Sequence, residues 1–352
     1  MKVLFLGKKL SGHGGMETIV KQVYDLLEKR GINVEFIFLA GGNEIDTAWL
    51  GGRRVNVIYT KYPRIFRKSR YVSLLRRKLK GKEIDFVIAL DPDSCEIAKE
   101  LAHEFKYKIY SWIHFSLSTM KSKHAEKIKK ADLHWAISKG LLSEYKELGI
   151  AEESCIFIPN FVERQKATLL SLTNDRIKLL YMGRIQWEGD KYLKDLFEAL
   201  TKVERKWSLD IVGAGEDQVQ CERFISENRK KLRGDINWLG WLEKPWKALE
   251  EKGKKYNYLI LPSHAEGFGM VVVEALSYGI PCICSNISPG PADFLNDRNG
   301  FLFKKGGVDV LAEILQSPLY EKSWDPQMIK ESISDYYIES CEYRIFKALE
   351  NQ

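Results

Sequence analysis

Short apolar segments alternate with helical segments in two successive series along this chain, and this pattern constrains the fold more than any other feature. The first series contains predicted strands from 3–6 to 133–137, and the second contains predicted strands from 178–182 to 282–285. Strands separated by helices favour a parallel, doubly wound sheet, because a helix is the usual crossover between parallel strands. The sequence therefore predicts an α/β protein with two such sheets.

The alternation lapses over 159–176, where a polar, mixed segment replaces it. Such a lapse predicts a domain boundary, and a chain of 352 residues is long enough for two separate cores. We expect two Rossmann-like domains that face a ligand-binding cleft, followed by C-terminal helices that cross back to the first domain. The predicted bounds are 1–165, 175–325 and 326–352, respectively.

Composition excludes several classes of protein. The sequence has no window of about 18 apolar residues, so no transmembrane helix is expected. The apolar run Lys2–Gly7 is too short for a secretory signal and is interpreted as the first strand. The six cysteines form no C-x-x-C pair and the six histidines lack metal-ligand spacing. We therefore expect a protein of the reducing cytoplasm that binds no metal.

The net charge of +7 is concentrated in one segment, 61–82, which holds ten basic residues and no acidic one. Aromatic and aliphatic residues are interleaved with the cations, a combination that favours an anionic membrane surface. A solvated basic helix face is the alternative. Nucleic acid is a third option, but no recognised nucleic-acid module accompanies the segment. We expect 61–82 to dock on anionic lipid of the inner leaflet and expect no nucleic-acid partner.

Two carboxylates and two glycines make up the most informative motif, Glu266-Gly-Phe-Gly-Met-Val-Val-Val-Glu274. The run Met270–Tyr278 predicts a helix, which places Glu266 in the preceding loop and Glu274 inside the helix. A helix N-terminus opened by Gly267 and Gly269 offers N–H groups and a positive dipole end to a phosphate or a sugar hydroxyl. Because Glu274 can accept hydrogen bonds from a ribose diol, the motif predicts a sugar-nucleotide site.

Two further loops carry features that suit phosphate. Ser11–Thr18 follows the first strand and contains Gly14 and Gly15, but it matches neither G-x-G-x-x-G nor a Walker A loop. A plain tight turn is its alternative. Gly183 and Arg184 follow the strand at 178–182, with a lysine at 191. Two cations at a strand end can neutralise a diphosphate, although an ordinary surface pair has the same pattern.

Weaker candidates lie after other predicted strands. Gly213 sits in a glycine turn, and Trp241 can line a base pocket or pack in a core. His114 follows a strand, where catalytic groups gather in such sheets, but a lone histidine is as often structural. The Asp-Pro-Asp sequence at 91–93 suits a metal site or, more simply, a cap for the next helix.

These motifs occur in order along nearly the whole chain, and together they resemble retaining glycosyltransferases of family 4, which have the two-domain GT-B fold. A closer similarity, to lipopolysaccharide core galactosyltransferases of that family, appears in Ser111–Leu117, Lys123–Glu126 and Lys194–Phe197. The resemblance implies transfer of galactose from UDP-galactose to a lipid-linked or membrane-proximal glycan acceptor, with retention and without a metal. It also implies a cytoplasmic enzyme that is peripheral on the inner face of the plasma membrane.

The resemblance also assigns roles to residues. Arg184 and Lys191 would grip the diphosphate, with Lys194 as an alternative to Lys191. Glu274 would hold the ribose, and His114 would sit near the reacting sugar. The remaining donor contacts would come from Glu266, from the backbone of Gly267, Phe268 and Gly269, and from Gly14, Gly15, Gly183, Gly213 and Trp241.

Several functions stay open at this point. A transferase of the same fold can use UDP-glucose or UDP-N-acetylglucosamine and act on capsule or a teichoic-type polymer. A non-catalytic nucleotide-sugar-binding protein is the alternative from another class. A dinucleotide-dependent dehydrogenase is disfavoured because the G-x-G-x-x-G fingerprint and its acidic partner are missing.

Overall fold

The computed structural model describes residues 1–8, 10, 15–41, 47–173, 175–316 and 323–350. The chain divides into two compact units. The first comprises Met1–Asn160 together with the C-terminal residues from Glu342, and the second comprises Phe161–Cys341. Of the C-terminal segment 326–352, the part up to Cys341 thus belongs to the second unit and the rest to the first.

The first unit is built on a seven-stranded parallel sheet in the order β3-β2-β1-β4-β5-β6-β7. Its strands are β1 (Lys2–Lys8), β2 (Asn33–Ala40), β3 (Val55–Tyr59), β4 (Phe86–Ala89), β5 (Lys108–Ile113), β6 (Leu133–Ala136) and β7 (Cys155–Phe157). Its helices are α1 (Gly15–Lys29), α2 (Arg67–Leu79), α3 (Pro92–Phe105), α4 (Ser122–Ala125) and α5 (Lys139–Glu147). The strand order reverses between β1 and β4, which marks the switch point of this sheet.

The second unit has a six-stranded parallel sheet in the order β10-β9-β8-β11-β12-β13. Its strands are β8 (Ile177–Met182), β9 (Trp207–Val212), β10 (Gly234–Gly240), β11 (Tyr258–Leu261), β12 (Cys282–Ser285) and β13 (Gly300–Phe303). Its helices are α6 (Leu193–Leu200), α7 (Gln218–Glu227), α8 (Pro245–Glu251), α9 (Met270–Ser277), α10 (Val308–Gln316) and α11 (Pro326–Glu331), and α12 (Ile338–Glu350) closes the described chain. Here the order reverses between β8 and β11.

The prediction of two doubly wound, Rossmann-like units is confirmed. The central strands are buried on both faces, as in β4, whose four residues are all buried. This explains why they appear in the sequence as continuous apolar runs rather than as alternating ones. Three strands at or near the sheet edges were not predicted: β3, β7 and β13.

The basic segment 61–82 forms α2 with the residues that flank it. Tyr71, Leu75 and Leu79 recur every four residues and lie buried in the core of the first unit. These three residues are therefore the core face of an amphipathic helix and cannot face a membrane, while the docking of segment 61–82 on lipid stays a prediction. Ile65 and Phe66, which precede α2, are 81% and 60% exposed.

Asp91 and Pro92 begin α3. The Asp91 carboxylate accepts a hydrogen bond from the backbone N–H of Ser94 at 3.0 Å, and Pro92 occupies the first turn. The interpretation of this sequence as a helix cap is confirmed. Among the described residues no group of three or more His, Cys, Asp or Glu side chains comes together in a way that could hold a metal ion. No helix in the same part of the chain is sufficiently long and apolar to cross a bilayer.

Candidate functional site

The second unit carries most of the candidate residues on loops that follow β8, β9 and β11. In parallel α/β sheets, ligands bind outside the carboxyl ends of the strands at the point where the strand order reverses. β8 and β11 are the two strands that flank this point in the second sheet. The loops after them carry Arg184, Lys191 and Glu266.

Gly183 and Gly213 bring the loops after β8 and β9 into close contact. The N–H of Gly183 donates to the carbonyl of Val212 at 3.0 Å, and the N–H of Gly213 donates to the carbonyl of Gly240 at 2.8 Å. Gly213 has φ of +142°, and a Cβ there would lie 1.9 Å from the carbonyl oxygen of Gly183. Glycine at 213 is therefore explained by loop packing. Its contact with a donor remains a prediction.

Arg184 has a fixed backbone and an exposed side chain. The phenol of Tyr181 donates to the carbonyl of Arg184 at 2.6 Å, which holds the main chain at the end of β8. The guanidinium lies 3.6 Å from the Asp190 carboxylate, and 65% of the Arg184 side chain is exposed. A cation held in this way is available to a ligand, because the loose ion pair leaves most of its donors free.

Lys191 and Glu266 form a largely buried ion pair. The Lys191 Nζ lies 2.5 Å from Glu266 Oε1, and the two side chains are only 16% and 10% exposed. The hydroxyl of Ser263 donates to the same carboxylate oxygen at 2.7 Å. Lys194, the alternative, pairs instead with Glu188 at 3.0 Å. Lys191 is thus the lysine that lies beside the predicted donor carboxylate.

A second set of contacts, which the sequence analysis did not predict, holds the loop that carries Lys191. The backbone N–H of His264 donates to the carbonyl of Asp190 at 2.7 Å. Its ring Nε2 lies 2.7 Å from the buried Asp195 carboxylate, and the ring stacks on Tyr192 with centroids 3.5 Å apart. The loop after β8 is therefore fastened to the loop after β11 from both sides of Lys191.

Gly269 opens α9 without a side-chain cap. It adopts φ of +89°, a left-handed conformation that favours glycine, and as the N-cap residue it has no side chain to accept a hydrogen bond from the first turn. The ring of Phe268 is buried against Phe294 and Tyr336, with centroids 5.3 Å and 5.9 Å away. This ring anchors the loop and leaves the backbone of Phe268 as its part that can contact a ligand. The backbone contacts of Phe268 and Gly267 with a donor stay a prediction.

Glu274 lies on α9 and is oriented by a tryptophan that the sequence analysis did not select. The indole N–H of Trp246 donates to Glu274 Oε2 at 2.8 Å, and the indole stacks on Tyr278 with centroids 5.2 Å apart. Burial raises the pKa of Glu274, and the Trp246 hydrogen bond opposes that rise. Trp241, the predicted base-pocket residue, is 57% exposed.

The candidates of the first unit are His114, Gly14 and Gly15. His114 follows β5 and is buried, and neither ring nitrogen has a hydrogen-bond partner among the residues placed by the structure. Burial lowers the pKa of His114 to about 3, so the imidazole is neutral at neutral pH. A buried polar group is normally paired, so this ring is suited to a ligand hydroxyl. Gly15 is the first residue of α1, and Gly14 lies outside the described residues.

The second unit offers two cations, Arg184 and Lys191, and two carboxylates. Glu266 is paired with Lys191, and Glu274 is partly buried on α9. This set can neutralise a diphosphate and accept hydrogen bonds from sugar hydroxyls. The partners of Arg184 and Lys191 in these ion pairs are carboxylates, not histidine or cysteine side chains. Electrostatic stabilisation is the chemistry that these groups can supply.

Comparison with known proteins agrees with this arrangement. Residues 13–166 match the family model described as Glycosyltransferase Family 4, and residues 164–334 match the one described as Glycosyl transferases group 1. The chain is 32% identical over 355 residues to the lipopolysaccharide 1,6-galactosyltransferase of Escherichia coli K12, covering 99% of this chain and 98% of that protein. It is 35% identical over 316 residues to the protein of the same name from Salmonella typhimurium, covering 88% and 87%.

Solved structures give the same result. The apo lipopolysaccharide outer core galactosyltransferase WaaB superposes with a TM-score of 0.90 at 32% identity, over 100% of this chain and 99% of that one. Anabaena HepE in complex with UDP and glucose superposes with a TM-score of 0.78, over all of both chains. Its identity of 17% restricts that likeness to the fold.

Proposed function

Because the chain belongs to the family 4 glycosyltransferases and has their GT-B fold, we propose that it transfers galactose from UDP-galactose to a sugar hydroxyl of a lipopolysaccharide core precursor, with retention at the anomeric carbon. The observation that carries this proposal is the contact between the loops that follow β8 and β11, at the point where the strand order of the second sheet reverses. It places Lys191 against Glu266 and leaves the guanidinium of Arg184 exposed. The similarity to two proteins named lipopolysaccharide 1,6-galactosyltransferase supports the donor sugar and the acceptor class.

In this proposal Arg184 and Lys191 bind the diphosphate of the donor. The bond between the anomeric carbon and the diphosphate oxygen breaks, and the acceptor oxygen bonds to the same face of that carbon. The acceptor hydroxyl gives its proton to the departing diphosphate oxygen. The two cations stabilise the charge that develops on the leaving group, which is where preorganised electrostatics lowers a barrier most.

Glu266 and Glu274 take different roles because their surroundings differ. Glu266 already accepts from Lys191 and Ser263 through one oxygen, Oε1. Its other oxygen has no such contact within the described part of the chain and is proposed to accept from a hydroxyl of the donor hexose. Glu274 is proposed to accept from the ribose diol, with Trp246 holding the carboxylate in place. The neutral ring of His114 is proposed to contact a hydroxyl of the reacting sugar.

Product analysis tests the proposal. The full chain is incubated with UDP-galactose and a lipopolysaccharide acceptor that lacks the outer-core galactose, and the product is analysed by mass spectrometry and by NMR of the anomeric proton. We expect one added hexose with the same anomeric configuration as the donor. UDP-glucose and UDP-N-acetylglucosamine serve as matched donors. A faster reaction with either would overturn the donor assignment, an inverted product would overturn retention, and hydrolysis without transfer would overturn the acceptor class.

We also propose that the start of α2 docks the enzyme on anionic lipid at the inner face of the membrane. Tyr62, Ile65 and Phe66 are each at least half exposed, and they adjoin a helix rich in cations. Part of that charge is already neutralised, since Lys68 and Arg76 pair with carboxylates of α3. We therefore expect insertion of these apolar side chains into the lipid interface to contribute to membrane binding, together with the cations that have no carboxylate partner in the described structure.

Flotation with vesicles that contain anionic phospholipid tests this docking. The variant Ile65→Ser/Phe66→Ser and a variant with charge reversals at Arg76, Arg77 and Lys78 should each lose vesicle binding. Leu172→Ser is the matched control, because Leu172 is 79% exposed but belongs to the second unit. Equal flotation of all four proteins, including the unmodified one, contradicts the docking proposal.

A further inference from the structure

A cavity of about 1090 Å³ opens in the first unit, at a place that the assigned residues do not use. Its lining includes Lys8 at the end of β1, Gly41 just after β2, and Asp93 in the first turn of α3, which follows β4. β1 and β4 are the strands at which the order of the first sheet reverses. The cavity therefore occupies the position where parallel α/β sheets bind ligands.

The lining of this cavity is strongly cationic. Five lysine and arginine side chains contribute to it, against two carboxylates: Lys8, Arg67, Lys68, Lys121 and Lys127 against Asp93 and Glu96. Among the described residues these two carboxylates pair with three of the five cations, and one of the three, Lys68, also pairs with Glu100 at 2.8 Å. Asp93 pairs with Lys8 and, at 2.6 Å, with Lys127. Glu96 pairs with Lys127 at 2.8 Å and with Lys68 at 3.1 Å.

Arg67 and Lys121 have no carboxylate partner among the described residues. The Arg67 Nε donates to the carbonyl of Tyr62 at 3.0 Å, which leaves the terminal nitrogens of the guanidinium available. Gly41 makes room for this group, because a Cβ at that position would lie 2.8 Å from Arg67 Nη1. Lys121 is exposed at the cavity and makes no ion pair in the part of the chain that the structure describes.

We infer that this cavity binds a phosphate monoester carried by the acceptor glycan, with Arg67 and Lys121 as its principal ligands. A phosphate monoester carries a charge of about −1.5 to −2 at neutral pH and presents three acceptor oxygens. That charge matches the surplus of cations in the lining better than a single carboxylate does. The planar fork of arginine suits two phosphate oxygens, and lysine supplies a mobile point charge.

The inference deepens the proposed function and rests on it, because it assigns the acceptor, rather than the donor, to the first unit. The groups proposed for the donor diphosphate, Arg184 and Lys191, belong to the second unit. The two anion sites therefore have no ligand residue in common. A substitution in the cavity should change the handling of the acceptor and leave the donor unaffected.

The experiment has a binding arm and a kinetic arm, both with the full chain. In the binding arm, inorganic phosphate is titrated calorimetrically into the unmodified protein, into Arg67→Gln/Lys121→Gln and into Lys130→Gln. The last variant is the matched control, since Lys130 is exposed in the same unit, has no ion pair in the residues that can be described, and lies outside the cavity lining. We expect phosphate binding by the unmodified protein and by the control, and at least a tenfold weaker affinity in the double variant.

In the kinetic arm, the KM for the acceptor is measured before and after the acceptor is treated with a phosphatase. The double variant should raise the KM for the phosphorylated acceptor roughly 10-fold or more, in line with the loss of charge-assisted hydrogen bonds. Phosphatase treatment should remove the difference between the proteins. Hydrolysis of UDP-galactose without acceptor should stay unchanged in the double variant.

Each contrary outcome has a distinct meaning. Equal phosphate binding by all three proteins, or binding by none, overturns the inference whether or not transfer occurs. An unchanged acceptor KM combined with weaker flotation on anionic vesicles also overturns it, since the cations then serve a lipid headgroup. Absence of transfer by the unmodified protein overturns the proposed function, while the phosphate titration still decides the cavity.

Discussion

The ion pair between Lys191 and Glu266 gives the sharpest prediction about the second unit. Removing one partner from a buried pair costs roughly 3–5 kcal/mol, because the other charge is left buried without compensation. Lys191 is 16% exposed and Glu266 10%, and Ser263 continues to donate to the carboxylate. We therefore expect Lys191→Met to lower the free energy of unfolding by about 2–3 kcal/mol. Glu266→Gln should cost less, since the amide oxygen can still accept from both Ser263 and the Lys191 ammonium.

The double variant Lys191→Met/Glu266→Gln should be little less stable than Lys191→Met alone, because each substitution removes the same ion pair. This corresponds to a coupling energy of about 1–2 kcal/mol, within the range for residues in direct contact. Hydrogen exchange of the β8 and β11 amides measures the opening of the second unit without interference from the first. Lys194→Met is the matched control, and it should leave exchange unchanged because its pair with Glu188 lies on the surface. Stability losses that add to within about 0.3–0.5 kcal/mol would refute the pair as a native interaction.

Three further variants test other contacts of the same unit. Burial raises the pKa of Glu274, so its contribution to stability is full at low pH and is lost as pH rises through that pKa. Glu274→Gln should therefore gain stability relative to the unmodified protein as the pH rises above about 4.5, which thermal unfolding measures. It should also bind UDP more weakly in calorimetry. Identical pH profiles of the two proteins would contradict the burial argument. Asp195→Asn should loosen the ring of His264 and lower kcat with little change in stability, and rescue by Asp195→Glu would support a positioning role. Gly213→Ala should unfold roughly 2–12 °C lower, since its Cβ would overlap a carbonyl oxygen 1.9 Å away and overpacking costs roughly 1–3 kcal/mol. An unchanged melting temperature would contradict this.

The regular elements with long or fully apolar patterns could be predicted from the sequence. The strands at Tyr258–Leu261 and Cys282–Ser285 were predicted with the bounds that the structure has. Short strands escaped prediction, because Cys155–Phe157 has three residues that are all only partly buried. Such a segment has neither a continuous apolar run nor a clear alternation, so its pairing with β6 becomes visible only in three dimensions.

The basic segment 61–82 also carries the apolar spacing of a helix that packs on a core. Tyr71, Leu75 and Leu79 recur at the interval of a helix face. A high density of cations favours a membrane surface, but long basic side chains also commonly flank a buried stripe of apolar residues on a helix. The structure separates the two properties, because the stripe packs in the core and the exposed apolar residues precede the helix.

The candidate site was predictable where its residues share one motif and unpredictable where they meet across the sheet. Glu266 and Glu274 lie in a single sequence motif. The partners that orient this region, His264 on Asp195 and Trp246 on Glu274, come together through contacts between separate elements. Such pairs leave no motif in the sequence, because the two partners are far apart along the chain and an isolated tryptophan or histidine is common in any globular core. The choice of Lys191 over Lys194 likewise needed the geometry.

The central claim is that the exposed guanidinium at the end of β8 stabilises the departing diphosphate. The rate of galactose transfer at saturating UDP-galactose and acceptor tests it most directly, compared between the unmodified protein, Arg184→Ala and the control Arg223→Ala. Arg223 is an exposed arginine of α7 in the same unit. The account predicts a loss of roughly 10²–10³ in kcat for Arg184→Ala, as for removal of one preorganised donor, and no loss for the control. Full activity of Arg184→Ala at saturating substrates would contradict it.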